Sequence, residues 1–145
     1  MHKKANIIFF TLGLLILIGV YLVFRYSGDS YMNMNTVSTD VEISSGELIS
    51  SFIVDEDAAN LMYRGKIIEV EGIIKDITFL NNRNTIFLYG KNKYSSVICD
   101  MYPNQEGEIK DLKKGQKIKI KGVCKGFLKD AILLNCMLIN TTINE

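Results

Sequence analysis

The chain has 145 residues, three cysteines, a single proline and a formal net charge of +1. A nucleic-acid-binding domain usually has a strong basic excess, so this near-neutral balance disfavours that class. Residues 44–145 taken alone are equally balanced, with 14 Lys or Arg against 13 Asp or Glu. This is enough chain for one compact domain, and the cysteines are too sparse for a miniprotein held together by disulfides.

Residues 5–25 are predicted to form a transmembrane anchor. Ala5–Phe24 contains no charged residue, and a helix of roughly 20 residues spans the hydrocarbon core of a bilayer. Lys3 and Lys4 precede it, so the positive-inside rule places residues 1–4 in the cytoplasm. A cleaved signal peptide is the alternative, but the apolar stretch is long and bulky residues follow it. We expect a single-pass membrane protein whose C-terminal domain lies outside the cytoplasm.

Residues 26–43 are rich in Ser, Thr, Asn and Asp and lack helical periodicity, which predicts a flexible linker to a domain over residues 44–145. Ser44 and Glu47 fit a capping box at the start of a short helix. The acidic triplet Asp55–Asp57 then begins a second short helix, which Gly65 ends.

Alternating polar and apolar residues predict three strands in the next part of the chain. The first covers Lys66–Ile77 and contains Gly72, which commonly marks a bulge or a tight bend in a strand. The second covers Thr85–Tyr89 and the third Ser95–Tyr102. A short helix over Glu106–Lys113 is expected to follow the single proline.

The last forty residues predict a β-hairpin. Lys117, Lys119 and Lys121 alternate with isoleucines, which places the lysines on one face of a fourth strand. A fifth strand follows over Ala131–Ile139. The lysine stripe is typical of a solvated face or a protected edge strand, and its functional interpretation is contact with anionic lipid headgroups.

Three strands, a helix and two strands form the element order of an OB-fold, a five-stranded Greek-key barrel with its helix between strands three and four. The fold class is therefore mainly β with short helices. Short N-terminal helices and one transmembrane helix are expected to precede the barrel. An SH3-like barrel is the nearest alternative, but it normally lacks that helix.

Several short segments resemble the tRNA-anticodon-like OB-fold family, whose members are mostly small bacterial proteins that are exported or membrane-anchored. The resemblance covers roughly Glu47–Ile139. It rests on Tyr63-Arg64-Gly65-Lys66, Val70-Glu71-Gly72, Val97-Ile98-Cys99, Leu112-Lys113-Lys114-Gly115-Gln116-Lys117, Gly122-Val123-Cys124-Lys125-Gly126 and Leu133-Leu134-Asn135-Cys136. It implies an OB-fold; it implies neither tRNA binding nor any catalytic residue.

The residues themselves do not suggest an enzyme. The only histidine, His2, lies outside the domain, so the domain cannot assemble a Ser-His or Cys-His pair. The cysteine spacings do not match a zinc site, and no Gly-rich phosphate loop opens a helix. We expect no metal and no cofactor.

Strand parity places Cys99, Cys124 and Cys136 in the core, with Leu134 and Leu138 facing inward beside Cys136. The thiols are either free buried side chains or contribute to one disulfide outside the cytoplasm. Cys124 with Cys136 would bridge the hairpin, although diagonal neighbours are far apart for a disulfide without a bulge. Cys99 with Cys136 is also possible.

The second and third strands form the ligand face of an OB-fold. If Ile86 and Leu88 point inward, aromatic residues with basic neighbours point outward, as in a stacking platform. The opposite parity would bury Phe87 and Tyr89 in the core. The candidate ligand-binding residues are Arg83, Phe87, Tyr89, Lys91, Tyr94 and Tyr102.

These observations favour a non-catalytic, membrane-anchored, extracytoplasmic binding module. We expect its partners to be the membrane, through the N-terminal helix, and a protein, glycan or small molecule on the OB face. Single-stranded nucleic-acid or tRNA-like binding is the alternative, and both charge and location disfavour it.

Overall fold

The structure, a computed structural model, describes residues 13–22, 34 and 36–139. The chain divides into two compact units, Met1–Tyr31 and Met32–Glu145. In the first unit, residues 13–22 form a helix, α1. Among the described residues, no helix combines the length and the apolar character needed to cross a bilayer. The rest of the predicted anchor, residues 5–12 and 23–25, lies outside the described residues, as do residues 1–4 and 26–33.

The described residues of the second unit form six strands and three further α-helices. In chain order they are β1 Val41–Ser44, α2 Ser45–Val54, α3 Glu56–Tyr63, β2 Ile67–Leu80, β3 Arg83–Tyr89, β4 Ser96–Met101, a 3-10 helix Pro103–Gln105, α4 Glu106–Ile109, β5 Lys117–Phe127 and β6 Ala131–Ile139. The five strands predicted from the sequence correspond to β2–β6.

Strands β2–β6 close into a barrel. Their order is β2-β3-β4-β6-β5, and β5 pairs back onto β2. The pairing of β4 with β6 is parallel, whereas the other barrel pairs are antiparallel. Together with the helical segment between β4 and β5, this confirms the five-stranded barrel of an OB-fold.

Strand β2 closes the barrel because it changes partner halfway along its length. Ile67–Ile73 pairs with β5, and Ile74–Leu80 pairs with β3 across a register shift between Ile74 and Asp76. Gly72 lies just before this change of partner, where the bend was predicted. Its missing side chain leaves room for Ser45 of α2, whose Oγ would be 2.6 Å from a Cβ at position 72.

The last residues of the predicted linker are structured next to the barrel. Residues 41–44 form β1, which pairs in parallel with β2. Asp40 precedes the strand and exchanges two hydrogen bonds of 2.8 Å with the backbone of Ile67. Further upstream, Met34 is fully buried, and the Val37 carbonyl accepts a hydrogen bond from Lys121 Nζ. A four-residue strand is too short for its alternation to stand out in a polar segment.

The two helices after β1 start where the sequence predicts. Ser44 and Glu47 form the reciprocal bonds of a capping box, and Asp55 Oδ1 accepts from the Ala58 amide at 3.0 Å. Helix α2 buries Leu48, Ile49 and Phe52 against the barrel. These caps satisfy amide groups that the first helical turn leaves without partners.

The helix between β4 and β5 is shorter than predicted. It covers four residues, Glu106–Ile109, instead of continuing to Lys113. Gly107 lies inside it, and glycine lowers helix stability relative to alanine. Nevertheless the segment packs on the barrel: Ile109 is buried, and Gln105 Oε1 accepts from the Leu138 amide at 3.1 Å.

The C-terminal hairpin forms as predicted, but a bulge changes which residues of β6 face the core. Register shifts occur between Lys121 and Val123, where the partners on β6 are Met137 and Leu134. Asn135 lies at this point with φ +54°, a left-handed conformation that asparagine tolerates better than most residues. Consequently Leu133, and not Leu134 as predicted, fills the core beside Cys136.

Candidate binding face

Phe87 and Tyr89 point outward from the barrel. Ile86 and Leu88 are both fully buried, so the residues that alternate with them on β3 occupy the outer face. Phe87 is half-buried, and 44% of Tyr89 is exposed. The alternative parity, in which both aromatic residues fill the core, is therefore wrong.

An apolar row crosses the centre of this outer face. Phe87 of β3 lies opposite Ile98 of β4, and Ile98 lies opposite Ile132 of β6. All three side chains are half-buried. We call the outward surface centred on Phe87, Tyr89 and Ile98 the β3–β4 face. Its three neighbouring apolar side chains offer a contact surface to a ligand.

The loop between β3 and β4 holds the other predicted aromatic residue in a defined turn. Asn92 Oδ1 accepts hydrogen bonds from the amides of Tyr94 and Ser95, at 2.9 and 3.0 Å. The Gly90 amide donates to the Ser95 carbonyl oxygen at 3.1 Å. An asparagine that bonds the backbone ahead of it stabilises a turn. The loop therefore presents Tyr94, with 71% of its surface exposed, from an ordered backbone.

Lysine ammonium groups lie close to both exposed tyrosines. Lys75 Nζ is 5.9 Å from the centre of the Tyr89 ring, and Lys93 Nζ is 5.0 Å from that of Tyr94. Both distances fall within the range of a cation–π interaction. Lys75 also donates to the Lys93 carbonyl oxygen and to Ser96 Oγ, at 3.1 and 2.9 Å. It thereby ties the loop to β2.

The six predicted site residues do not all meet at one point. Tyr89, Lys91 and Tyr94 lie at the loop end of β3. Arg83 lies six residues earlier, about 20 Å along the strand, and forms an ion pair of 2.8 Å with Asp100. Tyr102 follows β4, is half-buried, and donates its amide to the Cys136 carbonyl oxygen. Phe87 lies between the two groups, so the candidate site is an elongated face.

A family model named tRNA_anti-like matches residues 1–138. The chain belongs to the tRNA_anti-like family. The match confirms the resemblance inferred from the sequence and extends it to the N-terminal residues. No curated protein sequence matches this chain.

Two solved structures are similar to this tRNA_anti-like protein at low sequence identity. A proposed nucleic acid-binding lipoprotein from Klebsiella pneumoniae subsp. pneumoniae is 17% identical, with a TM-score of 0.58, and the match covers 75% of this chain and 98% of that one. An asparaginyl-tRNA synthetase from Pyrococcus horikoshii is 12% identical, with a TM-score of 0.43, over 54% of this chain and 20% of that one.

Two features of the tRNA_anti-like domain near this face were not predicted from its sequence. The first is Lys75, whose outward parity on β2 was visible in the pattern but whose contact with the β3–β4 loop was not. The second is a groove of about 520 Å³ beside the β2–β3 hairpin. Its lining residues are Ile77, Phe79, Asn84, Ile109, Lys110 and Leu112. The apolar pair Phe79–Leu80, directly before a polar turn, was the available signal.

The lysine stripe of β5 pairs mainly with acidic residues of β2. Lys117 Nζ lies 2.5 Å from Glu71, and Lys119 Nζ lies 3.2 Å from Glu69. Lys121 is 7% exposed and reaches back to residue 37. The interpretation of β5 as a protected edge strand is wrong, because β5 pairs with both β2 and β6.

Carboxylates gather on the same side of the barrel. Glu42, Glu69 and Glu71 line a pocket of about 260 Å³ together with Lys119, and that lysine pairs with Glu69. Over the described ranges, no group of three or more His, Cys, Asp or Glu residues could hold a metal ion. His2 lies outside those ranges.

All three cysteines are fully buried free thiols. The candidate hairpin disulfide joins Cys124 and Cys136, and these two residues have different partners on the neighbouring strands. Cys124 lies opposite Leu133 on the hairpin, whereas Cys136 lies opposite Met101 of β4. The bulge at Asn135 produces this offset. Burial raises the pKa of both Cys124 and Cys136, which disfavours the reactive thiolate form.

Proposed function

We propose that this protein is a non-catalytic binding module, held outside the cytoplasm by a membrane helix, that binds a protein, glycan or small molecule on its β3–β4 face. The observation that carries the proposal is the outward direction of Phe87 and Tyr89 over a filled barrel. Aromatic residues contribute large contact areas at interfaces. Ile98 lies on one side of these rings and an ordered loop on the other. Few side chains or loop residues therefore have to become ordered when a ligand binds.

Helix α1 supports the tethering part of the proposal. A helix that is apolar on all sides is typical of a membrane span or a deeply buried segment. Eight large apolar side chains of this helix have exposed fractions between 46% and 67%. They are Leu14, Leu15, Ile16, Leu17, Ile18, Val20, Tyr21 and Leu22.

Single-stranded nucleic-acid binding is a second candidate function. The lysines beside Tyr89 and Tyr94 favour it, because stacking aromatics with nearby cations suit sequence-independent single-strand binding. The name of the Klebsiella lipoprotein points the same way. The near-neutral charge of the domain and the proposed location disfavour it.

Topology is tested first, in intact cells that make the full chain with a C-terminal reporter. Alkaline phosphatase is active only outside the cytoplasm, and green fluorescent protein exported in an unfolded state is dark there. We expect an active phosphatase fusion and a dark fluorescent fusion. The reverse pattern would overturn the proposed location.

The binding face is tested in the same cells by site-specific photo-crosslinking. A photoreactive amino acid replaces Tyr89 or Tyr94 and, as a matched control, Leu61 of α3, which is 85% exposed. We expect discrete adducts from the two tyrosine positions and none from position 61. Equal crosslinking at all three positions would contradict a specific face.

Labelled oligothymidylate tests the second function, by fluorescence anisotropy with the full chain in detergent at 150 mM NaCl. The leading proposal predicts no saturable binding. Saturable binding that Tyr89→Ala together with Tyr94→Ala weakens at least tenfold would instead support the nucleic-acid function, since stacking on one aromatic contributes about 1–3 kcal/mol per base.

A further inference from the structure

Cys99 and Cys136 lie on neighbouring strands and share one interior surface of the barrel. Strands β4 and β6 pair in parallel, with Cys99 opposite Leu133 and Met101 opposite Cys136. Neither cysteine has any exposed surface. Cys99 and Cys136 are therefore diagonal neighbours on strands joined directly by hydrogen bonds, and the register between the strands shifts at a bulge between them.

Two local irregularities seat the Cys136 thiol in this position. In an unbroken strand, residue 136 would have the parity opposite to Leu133 and point outward. The bulge at Asn135 adds one residue to β6 and turns Cys136 inward. On the facing strand, position 122 is a glycine, where a Cβ would be 2.6 Å from Cys136 Sγ. The bulge and the glycine together create the space that the thiol fills.

The third cysteine has different neighbours. Burial, together with the neighbouring Cys99 thiol, raises the pKa of Cys136. Cys124 instead interacts with the backbone of Gly126, and lies opposite Leu133 on the β5–β6 hairpin. The structure thus distinguishes the neighbouring thiols of Cys99 and Cys136 from the separate thiol of Cys124. Strand parity alone predicted only that all three are buried.

We propose that Cys99 and Cys136 form a disulfide when the chain folds in the presence of a disulfide oxidant, and that Cys124 remains a thiol. Each cysteine of the pair loses one proton and one electron as the S–S bond forms. Glutathione disulfide accepts the two electrons and two protons and leaves as two molecules of glutathione. The bond is a property of the barrel and does not depend on what the β3–β4 face binds.

Complete burial determines when the bond forms. An oxidant cannot reach either sulfur once the barrel has closed, so exchange takes place while β4 and β6 are still accessible. The finished bond then joins strands that are separated in sequence by α4 and the whole of β5. It is consequently shielded from reductants in the folded protein.

The test is oxidative refolding of the full chain. The reduced protein is unfolded in guanidinium chloride and refolded into detergent, with either glutathione disulfide and glutathione or a reductant alone. Folded protein is then unfolded again in excess N-ethylmaleimide and weighed by intact-mass spectrometry. We expect one maleimide adduct after oxidative refolding and three after refolding with reductant. Peptide mapping should find Cys99 joined to Cys136.

Single substitutions by alanine complete the test. Cys124→Ala should form the disulfide and take up no maleimide, whereas Cys99→Ala and Cys136→Ala should each take up two. Three adducts on the oxidatively refolded wild-type chain, a bond that includes Cys124, or glutathione attached in place of an internal bond would each overturn the proposal. The wild-type peptide map decides the question even if an alanine variant does not fold.

Discussion

Ser45 of α2 lies directly against Gly72 of β2. The Ser45 hydroxyl would be 2.6 Å from a Cβ at position 72, and it donates a 2.7 Å hydrogen bond to the carbonyl oxygen of Tyr89. One small contact therefore joins α2, the part of β2 where its partner strand changes, and the loop end of the β3–β4 face. Glycine at position 72 is required by this close approach.

Gly72→Ala is expected to destabilise the domain by about 1–3 kcal/mol, the usual effect of adding a methyl group to a closely packed site. Ser45 Oγ and Leu88 Cδ1 are both within the contact range of the new Cβ. The control is Gly46→Ala, where a Cβ meets nothing within 4 Å and alanine favours the helix by up to about 1 kcal/mol. Urea denaturation measures both, and equal destabilisation would contradict the packing argument.

Phe52 anchors α2 to the C-terminal hairpin. Its ring stacks on Phe127, with centroids 5.3 Å apart and an interplanar angle of 7°, and it is only 2% exposed. Phe52→Ala is expected to reduce the free energy of unfolding by about 3–5 kcal/mol. Phe79→Ala is the matched control, because that ring is 60% exposed and should change stability by less than about 1 kcal/mol. Similar losses for both variants would show that the stack is not what stabilises this end of the barrel.

The barrel was predictable because its signals are local. The Lys-Ile alternation of β5, the capping box at Ser44 and the acidic cap at Asp55 each depend on residues a few positions apart. The order of these elements then identified the OB-fold. Ile68, Val70 and Ile74 alternate inward along β2 as expected and are fully buried.

What the sequence did not reveal depends on contacts between distant residues. The bulge at Asn135 places Leu133 in the core instead of the predicted Leu134. Counting alternate residues along a strand cannot detect such an inserted residue. The contacts of Asp40 with Ile67, and of Val37 with Lys121, draw part of the predicted linker onto the barrel. The sequence could not decide whether Phe87 points outward, because β3 carries apolar residues on both of its faces.

Acid is expected to destabilise the domain in a defined pH range. Hydrogen bonds from Lys117 and Lys114 hold the pKa values of Glu71 and Asp76 below their ordinary 4.5 and 3.8. A carboxylate with a depressed folded-state pKa contributes stability that is present above its unfolded pKa and is lost as the pH falls through its folded value. The urea midpoint should therefore be steady from pH 7 to about 5 and decline below about 4.5.

The double variant Glu71→Gln, Asp76→Asn should lose less stability than the wild type between about pH 4.5 and 2, because two of the titrating groups are gone. Adding 1 M NaCl to the wild type should act in the same direction, since salt screens exposed ion pairs. If the urea midpoint of the double variant falls with pH as steeply as that of the wild type, these two carboxylates are not the source of the acid destabilisation. At the alkaline end, the hydrogen bond that Lys119 donates to the Glu69 carboxylate raises the pKa of Lys119, so the contribution of this pair is present below about 10.5 and is lost as the pH rises further.

Lys121 should hold the segment before β1 against the barrel. Its Nζ donates to the Val37 carbonyl oxygen, and hydrogen bonds to charged groups contribute about 1.5–3 kcal/mol. Lys121→Met keeps the aliphatic stem and removes the donor, so hydrogen–deuterium exchange in a peptide covering Thr36–Ile43 should accelerate by roughly ten- to a hundredfold. The control is Lys117→Met, which removes an ion pair whose lysine side chain is 64% exposed, and exposed pairs contribute at most about 1 kcal/mol. If both variants left exchange in that peptide unchanged, the segment would be held by Met34 and the Asp40–Ile67 bonds, and the buried ammonium would have no part in attaching it.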